Sequence, residues 1–330
     1  MSNPTYIIRN YHTQDFDKLV QLAGEVQDLG QTWCLISPLD LIESVGQPIH
    51  SFDNNLFVVE NAGEVVGFAD VKQELNIGRV VLSFLIHPKH RRKGLPAKLI
   101  ECGIGHTREL GVRIVHINIL QECVTGKRLL NKMGFRFVRR FLELRLDLPK
   151  TLLPDISKMA PLFRHLECGE EDRLTEIQNR SFADSWGYNT NTLEEVIYRT
   201  SLPNFSPEDI ILAWDAEKPI GYCWTRINFW KNKSTSESHG RIYMLGVDPD
   251  HRGRGIGKQV LLAGLSYLKS RGLRVVELTV DHKNKTACAL YSSVGFKLWT
   301  STLWYEKKLD EACDGSSVGN FVKPWPPVSL

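Results

Sequence analysis

Residues 246–258 read Gly-Val-Asp-Pro-Asp-His-Arg-Gly-Arg-Gly-Ile-Gly-Lys, and their chemistry is that of a polyanion site. Arg252, Arg254 and Lys258 supply positive charge, while Gly253, Gly255 and Gly257 let the backbone come close to a ligand. The apolar run Ile242 to Val247 before this turn predicts a strand. After it, Val260, Leu261, Leu265 and Leu268 share one helix face, with Gly272 at the expected end. A helix opening on such a turn offers N–H groups without intrahelical partners and the positive end of its dipole, which together hold phosphate. Neither common nucleotide motif fits. Gly257-Lys258 is followed by Gln259 and not by Ser or Thr, and the glycines follow G-x-G-x-G, not G-x-G-x-x-G.

Arg252-x-x-Gly255-x-Gly257 resembles the acyl-CoA pyrophosphate loop of the GNAT family of N-acetyltransferases. After a second predicted strand, Arg274 to Val280, the segment Asn284-Lys-Thr-Ala287-Cys-Ala-Leu290-Tyr291-Ser-Ser-Val-Gly295-Phe296 is similar to that family's N-x-x-A-x-x-L-Y-x-x-x-G-F pattern. The two motifs stand in the family's order.

Composition leaves this reading open and closes others. The 330 residues are 42% hydrophobic and 24% charged, as in globular protein of two or three domains. A net charge of +3 is too small to argue for a nucleic acid or membrane partner. Seven dispersed cysteines without metal-ligand spacing read as reduced thiols and imply no metal. With no long apolar run, a cytoplasmic protein is expected.

The first half carries the second half's pattern at a fixed offset of 161. Pro88 pairs with Pro249 in this way, Arg91 with Arg252, Gly94 with Gly255, Gly111 with Gly272, and Gly134-Phe135 with Gly295-Phe296. Self-similarity over so long a period means duplication of a whole domain. The predicted layout is a domain at 1–148, a proline-bearing linker at 149–161, a second domain at 162–309 and a tail at 310–330. Within the first, strands 80–86, 112–120 and 137–146 and helices 14–26, 95–110 and 125–133 are expected. Within the second, a helix at 171–182 is followed by a less regular stretch, 183–207, and a closing strand at 298–309. Mixed strands and helices around a βα unit give an α+β or mixed α/β class. The resemblance implies two tandem GNAT-fold domains, each a mixed, mostly antiparallel sheet flanked by helices, as in mycothiol synthase-like two-domain members whose first copy is degenerate.

In the first copy, Pro96 removes an N–H donor from the loop's helix, and Cys123 and Leu130 replace the counterparts of Asn284 and Tyr291. That half is expected to be structural and silent, with Arg91, Arg92 and Lys93 still able to attract an acyl-CoA. For the second copy, the resemblance implies that residues 252–258 hold the pyrophosphate and that Leu245, Gly246 and Val247 pair with the pantetheine arm. An N–H near Leu245 or Gly246 would polarise the thioester. Asn284 and Ala287 would complete the cofactor site, and Tyr291 would protonate the leaving thiolate. The general base is left open between His239 and Glu277. Phe182, Trp186, Tyr188 and Trp224 are the candidate acceptor wall. The expected function is transfer of an acetyl or other short acyl group from CoA to a primary amine of a small molecule. Direct attack is expected, in a monomer or homodimer. The alternative is a non-catalytic acyl-CoA-binding or interaction protein.

Overall fold

The computed structural model describes residues 5–29, 41, 43–44, 52–91, 93–155, 162–203, 205–228 and 239–310. Arg92, the loop 231–238, linker residues 156–161 and the tail beyond Asp310 lie outside them. The chain forms two compact units, residues 1–139 with 302–330, and residues 140–301.

The first unit carries strands β1 (Tyr6–Asn10), β2 (Leu56–Asn61), β3 (Glu64–Glu74), β4 (Arg79–Ile86) and β5 (Ile114–Leu120), with helices α1 (Phe16–Asp28), α2 (Leu95–Glu109) and α3 (Val124–Lys132). The second begins within β6 (Arg136–Asp147), at Arg140, and goes on to β7 (Leu162–His165), then α4 (Glu171–Phe182) and α5 (Leu193–Thr200). It continues through β8 (Ile210–Asp215), β9 (Lys218–Asn228), β10 (His239–Val247), α6 (Ile256–Ser270), β11 (Val275–Asp281) and α7 (Lys285–Val294). The last strand among the described residues is β12 (Lys297–Lys308).

Each sheet is mixed, with one parallel pair at its centre. The first unit is ordered β1-β2-β3-β4-β5-β12 and the second β6-β11-β10-β9-β8-β7. The closing strands are therefore exchanged relative to the expected boundaries. β12 pairs antiparallel with β5, from Thr302↔Leu120 to Lys308↔Ile114, and β6 pairs antiparallel with β11, from Asp147↔Val275 to Phe141↔Asp281. The physical reason lies in the duplication. Two strands descended from one ancestor fit either sheet, and Tyr305 and Leu309 fill the first core while Leu144, Leu146 and Leu148 fill the second.

In the second unit, the even residues of β6 and β11 and the inward face of α6 form one core, with Val260, Leu261, Leu265, Leu268, Val276 and Leu278 at its centre. Period 2 in the strands meets period 3.6 in the helix along this seam. α6 stops where the reading places it: Gly272 adopts φ +78 and Leu273 N–H closes back on Leu268 O. The opposite face of the sheet is covered by α4 and α5 through Leu174, Ile177, Val196, Tyr222 and Trp224. Helix α5 falls in the stretch expected to be irregular. A reciprocal capping box starts it, with Thr192 Oγ1 accepting from Glu195 N–H and Glu195 from Thr192 N–H.

Candidate active site

The site is built on the meeting of β10 and β11. Their parallel ladder runs from His239↔Val275 to Ile242↔Leu278 and stops, although β10 continues to Val247 and β11 to Asp281. On its other edge β10 stays paired with β9 through Val247↔Gly221, with a register shift that leaves Tyr243 as an extra residue. Such a bulge bends a strand, and here it turns β10 out of its ladder with β11. Beyond Ile242, the edge of β10 facing β11 has no strand partner among the described residues. Its backbone groups are open to an extended chain that carries amides of its own.

The basic turn closes this opening at the C-terminal end of β10. Gly253 and Gly255 take φ +77 and +81, where a side chain would be strained, and a Cβ at either would point into open space. The first intrahelical bonds of α6 are donated by Lys258 and Gln259 onto Gly255 O, at 3.0 and 3.2 Å. The N–H groups just before them therefore face outward. Asp248 sets the turn. It is wholly buried, accepts from Asp250 N–H, and takes a fork from Arg180, with Nε at 2.7 Å and the terminal nitrogen at 3.2 Å. The Arg180 hydrogen bond, opposed by burial, holds the Asp248 carboxyl far below the usual range. Arg252, though exposed, braces the turn, donating to Ser181 O at 2.8 Å and Val247 O at 3.3 Å. Arg254 and Lys258 are exposed, and Ile256 is a core residue.

Gly246 sits where α4 meets β10. An added Cβ would lie 2.6 Å from both Ser181 Cβ and a Tyr222 ring carbon, so that face of Gly246 is closed. Leu245 and Val247 project toward the α6 side. Tyr291, 7% exposed, lies in the same layer against Phe296, and burial pushes its phenol well above its ordinary range. It shares that layer with Cys223, Leu245 and Val247, and it stays protonated at neutral pH. Asn284 spends its side chain as the N-cap of α7, accepting from Ala287 N–H at 3.0 Å.

On the α4 side of the sheet lies a charged cluster. His239 Nδ1 is 3.4 Å from Glu277 Oε1, so the two candidate bases form a pair, and Arg145 Nε donates to the same oxygen at 2.7 Å. Burial raises the Glu277 pKa, but the His239 hydrogen bond and the charges of Arg145, His239 and Arg241 outweigh it and leave it lowered. Beside them Thr279 donates to Glu143 at 2.8 Å, and Arg241 donates to Thr279 and stands 3.6 Å from Glu143. The Arg226 guanidinium stands over the Tyr243 ring, 3.3 Å from its centre. Glu143 and Arg145 come from β6, which the sequence reading gave to the other unit; the missed signal was the alternation Phe141, Glu143, Arg145 against Leu142, Leu144, Leu146.

The aromatic wall divides. Phe182 stacks on Tyr188 at 5.3 Å, and burial pushes the Tyr188 phenol up to about 12 while it donates to Asn179. Trp186 is half-buried against Phe141. Trp224 is core, 2% exposed, because its position on β9 faces inward beneath α4 and α5.

Residues 172–296 match the model of the acetyltransferase (GNAT) family, and residues 52–137 match an acetyltransferase (GNAT) domain. A mycothiol acetyltransferase of Thermobispora bispora is 33% identical over 68% of this chain and 74% of its own length. The chain belongs to the GNAT acetyltransferase family. A second mycothiol acetyltransferase, from Stackebrandtia nassauensis, is 30% identical over 77% of this chain and 83% of that protein. Among solved structures, a tandem GNAT protein from the clavulanic acid biosynthesis pathway superposes with TM-score 0.68 at 15% identity, covering 94% of this chain and all of that one. A GNAT protein from Sphaerobacter thermophilus gives 0.69 at 22% identity, covering 95% and 98%. The chain is thus a tandem GNAT protein and an acyl-CoA-dependent N-acetyltransferase, similar to the mycothiol acetyltransferases.

The first unit keeps part of the site. The β4–β5 ladder stops at Val81↔His116 while both strands run on, and Gly94 has φ +73 ahead of α2. Pro96 stands in the first turn of that helix, whose first intrahelical donor is Lys98. Leu130, buried, occupies the place of Tyr291, and His87 that of Asp248.

Proposed function

We propose that the second unit transfers an acetyl group from acetyl-CoA to a primary amine of a small molecule by direct attack, and that the first unit carries no turnover. The observation supporting this most directly is the conjunction, in one unit, of an opened β10 edge, an outward-facing N–H turn at 253–257 and a buried phenol in the layer that Leu245 and Val247 enter. The turn at Arg252–Lys258 would hold the pyrophosphate by N–H groups, with Arg254 and Lys258 adding charge and Arg252 fixing the loop. The free edge of β10 would pair with the pantetheine amides. Its N–H groups near the opening would stabilise the oxyanion as the carbonyl becomes tetrahedral. Tyr291 would give its proton to the departing thiolate.

The mycothiol acetyltransferase relatives support a small-molecule acceptor. Phe182, Trp186 and Tyr188, at and beyond the end of α4, are half-buried on the face from which it would approach. For the first unit, the loss of the tyrosine and of one loop N–H supports binding without turnover at most.

The test is thiol release from acetyl-CoA in the presence of a panel of small primary amines, with amide formation checked by mass. Transfer that disappears in Gly255→Glu and persists in Gly94→Glu is expected. Transfer that survives Gly255→Glu and disappears in Gly94→Glu assigns turnover to the wrong unit here.

A further inference from the structure

An amine attacking a thioester at neutral pH must lose a proton, and neither Tyr291 nor the basic turn can accept it. Position along β10 decides among the carboxylates and His239. The ladder with β11 ends at Ile242↔Leu278, so the mouth of the opening lies at Tyr243 on one strand and Thr279 on the other. On the α4 side Thr279 is exposed and Tyr243 half-buried there, whereas at Gly246 that side is closed by Ser181 and Tyr222. His239 is four residues before Tyr243, roughly 13 Å along a strand, and Glu277 is two before Thr279, roughly 7 Å. Glu277 is moreover occupied by Arg145 and His239. Glu143 stands opposite Thr279 in the β6–β11 register, and Thr279 donates to its Oε2 at 2.8 Å. It is 4% exposed, and it is the carboxylate that the structure fixes at the mouth itself.

We propose that Glu143, carried by β6, is the general base of the second unit, taking the amine proton directly or through one water. Resting on the N-acetyltransferase reading, the step balances. The N–C bond forms as the amine N–H proton passes to Glu143, the C–S bond breaks, and the thiolate takes the proton of Tyr291; the products are amide and free thiol. Among the described residues, the groups around Glu143 include Thr279 and Asp281 on β11, Arg145 on its own strand, and Arg241 on β10, with Arg226 across β10 and Glu277 beyond Arg145. Arg241 and Thr279 fix the carboxylate and keep one oxygen directed, as a base that must not rotate away requires. The residue comes from the sequence of the first repeat, so the second unit's site is complete only with the exchanged strand.

The test compares Glu143→Gln with Glu277→Gln and His239→Asn in the thiol-release assay, together with acetyl-CoA titration by calorimetry. Glu143→Gln is expected to lower kcat by at least ~100-fold, to leave acetyl-CoA affinity within about twofold, and to abolish the acid limb of the kcat/KM profile. The other two variants are expected to stay within about tenfold of the parent and keep that limb. A Glu143→Gln protein with near-parent kcat and an intact acid limb, or a His239→Asn protein that alone loses both, overturns the assignment. Should Glu143→Gln fail to fold, Thr279→Val keeps the carboxylate and removes its anchor. A fall in kcat of about tenfold or more, with unchanged acetyl-CoA affinity, then supports the proposal, and an unchanged kcat sinks it. If the parent chain transfers acetyl to no amine while still binding acetyl-CoA, the N-acetyltransferase reading itself fails and the role of Glu143 with it.

Discussion

Gly246→Ala tests how closely the active site depends on the seat of α4 against β10. The added methyl would begin 2.6 Å from Ser181 Cβ and from a Tyr222 ring carbon, and 2.7 Å from Ser181 Oγ. Carbon atoms rest at about 3.5–4.0 Å, so α4 must retreat by roughly 1 Å. Neither side can yield by rotamer change, since the obstacles are a Cβ and a ring. Overpacking of this kind costs about 1–3 kcal/mol. The same movement stretches the bond from Arg252 to Ser181 O, now 2.8 Å, past the limit of a hydrogen bond. Stability and acetyl-CoA affinity should therefore fall together. A unit of this size loses about 2–4 °C per kcal/mol, giving a drop in unfolding temperature of about 4–8 °C for 2 kcal/mol. Ser181→Gly in the same chain removes the clash and should restore part of both, despite the helix penalty of roughly 1 kcal/mol for glycine. Scanning calorimetry and acetyl-CoA titration on the parent, both single variants and the double variant read the coupling. A Gly246→Ala protein of parent stability and affinity, or strictly additive single effects, would show that α4 is not seated on Gly246 in this way.

Tyr291→Phe should lower kcat by ~100-fold or more and leave acetyl-CoA affinity and unfolding temperature nearly unchanged, because no hydrogen bond reaches the hydroxyl among the described residues; rapid-mix kinetics with calorimetry separates the two. Asp248→Ala should cost at least the ~1 kcal/mol of a lost N-cap and weaken acetyl-CoA binding through the loop. Because Arg180 depresses the folded-state pKa of Asp248, its contribution is full above the ordinary carboxylate pKa and is lost as pH falls below it. Thermal melts should then separate parent and variant above about pH 5 and converge toward pH 2; a gap independent of pH contradicts the pairing.

Much of this site was legible in the residues because it is local. The turn at 252–257, the helix after it and Tyr291 on α7 are set by short-range spacing, and the structure puts them on one unit. Three things were hidden for physical reasons. The partner sheet of strands 136–147 and 297–308 cannot be read from two copies of one pattern, so Glu143 and Arg145 were assigned to the wrong neighbourhood. Helix α5 was obscured by the polar run around it, although Thr192-x-x-Glu195 announces a capping box. Trp224 looked like a binding aromatic because its inward direction depends on the bulge at Tyr243 and on what covers β9. Asn284 and Arg252 were found by motif, but their side chains turn out to brace backbone, which spacing alone does not distinguish from ligand contact.

The most direct test of the account is calorimetric titration of acetyl-CoA into the parent chain, Gly255→Glu and Gly94→Glu. The parent should bind, and Gly94→Glu should keep the second-unit site. In Gly255→Glu that site should weaken at least ~100-fold, about 2.7 kcal/mol, as a carboxylate enters the pyrophosphate turn. A Gly255→Glu protein that titrates like the parent would contradict it, because the turn at 252–257 would then not be where the acyl donor is held.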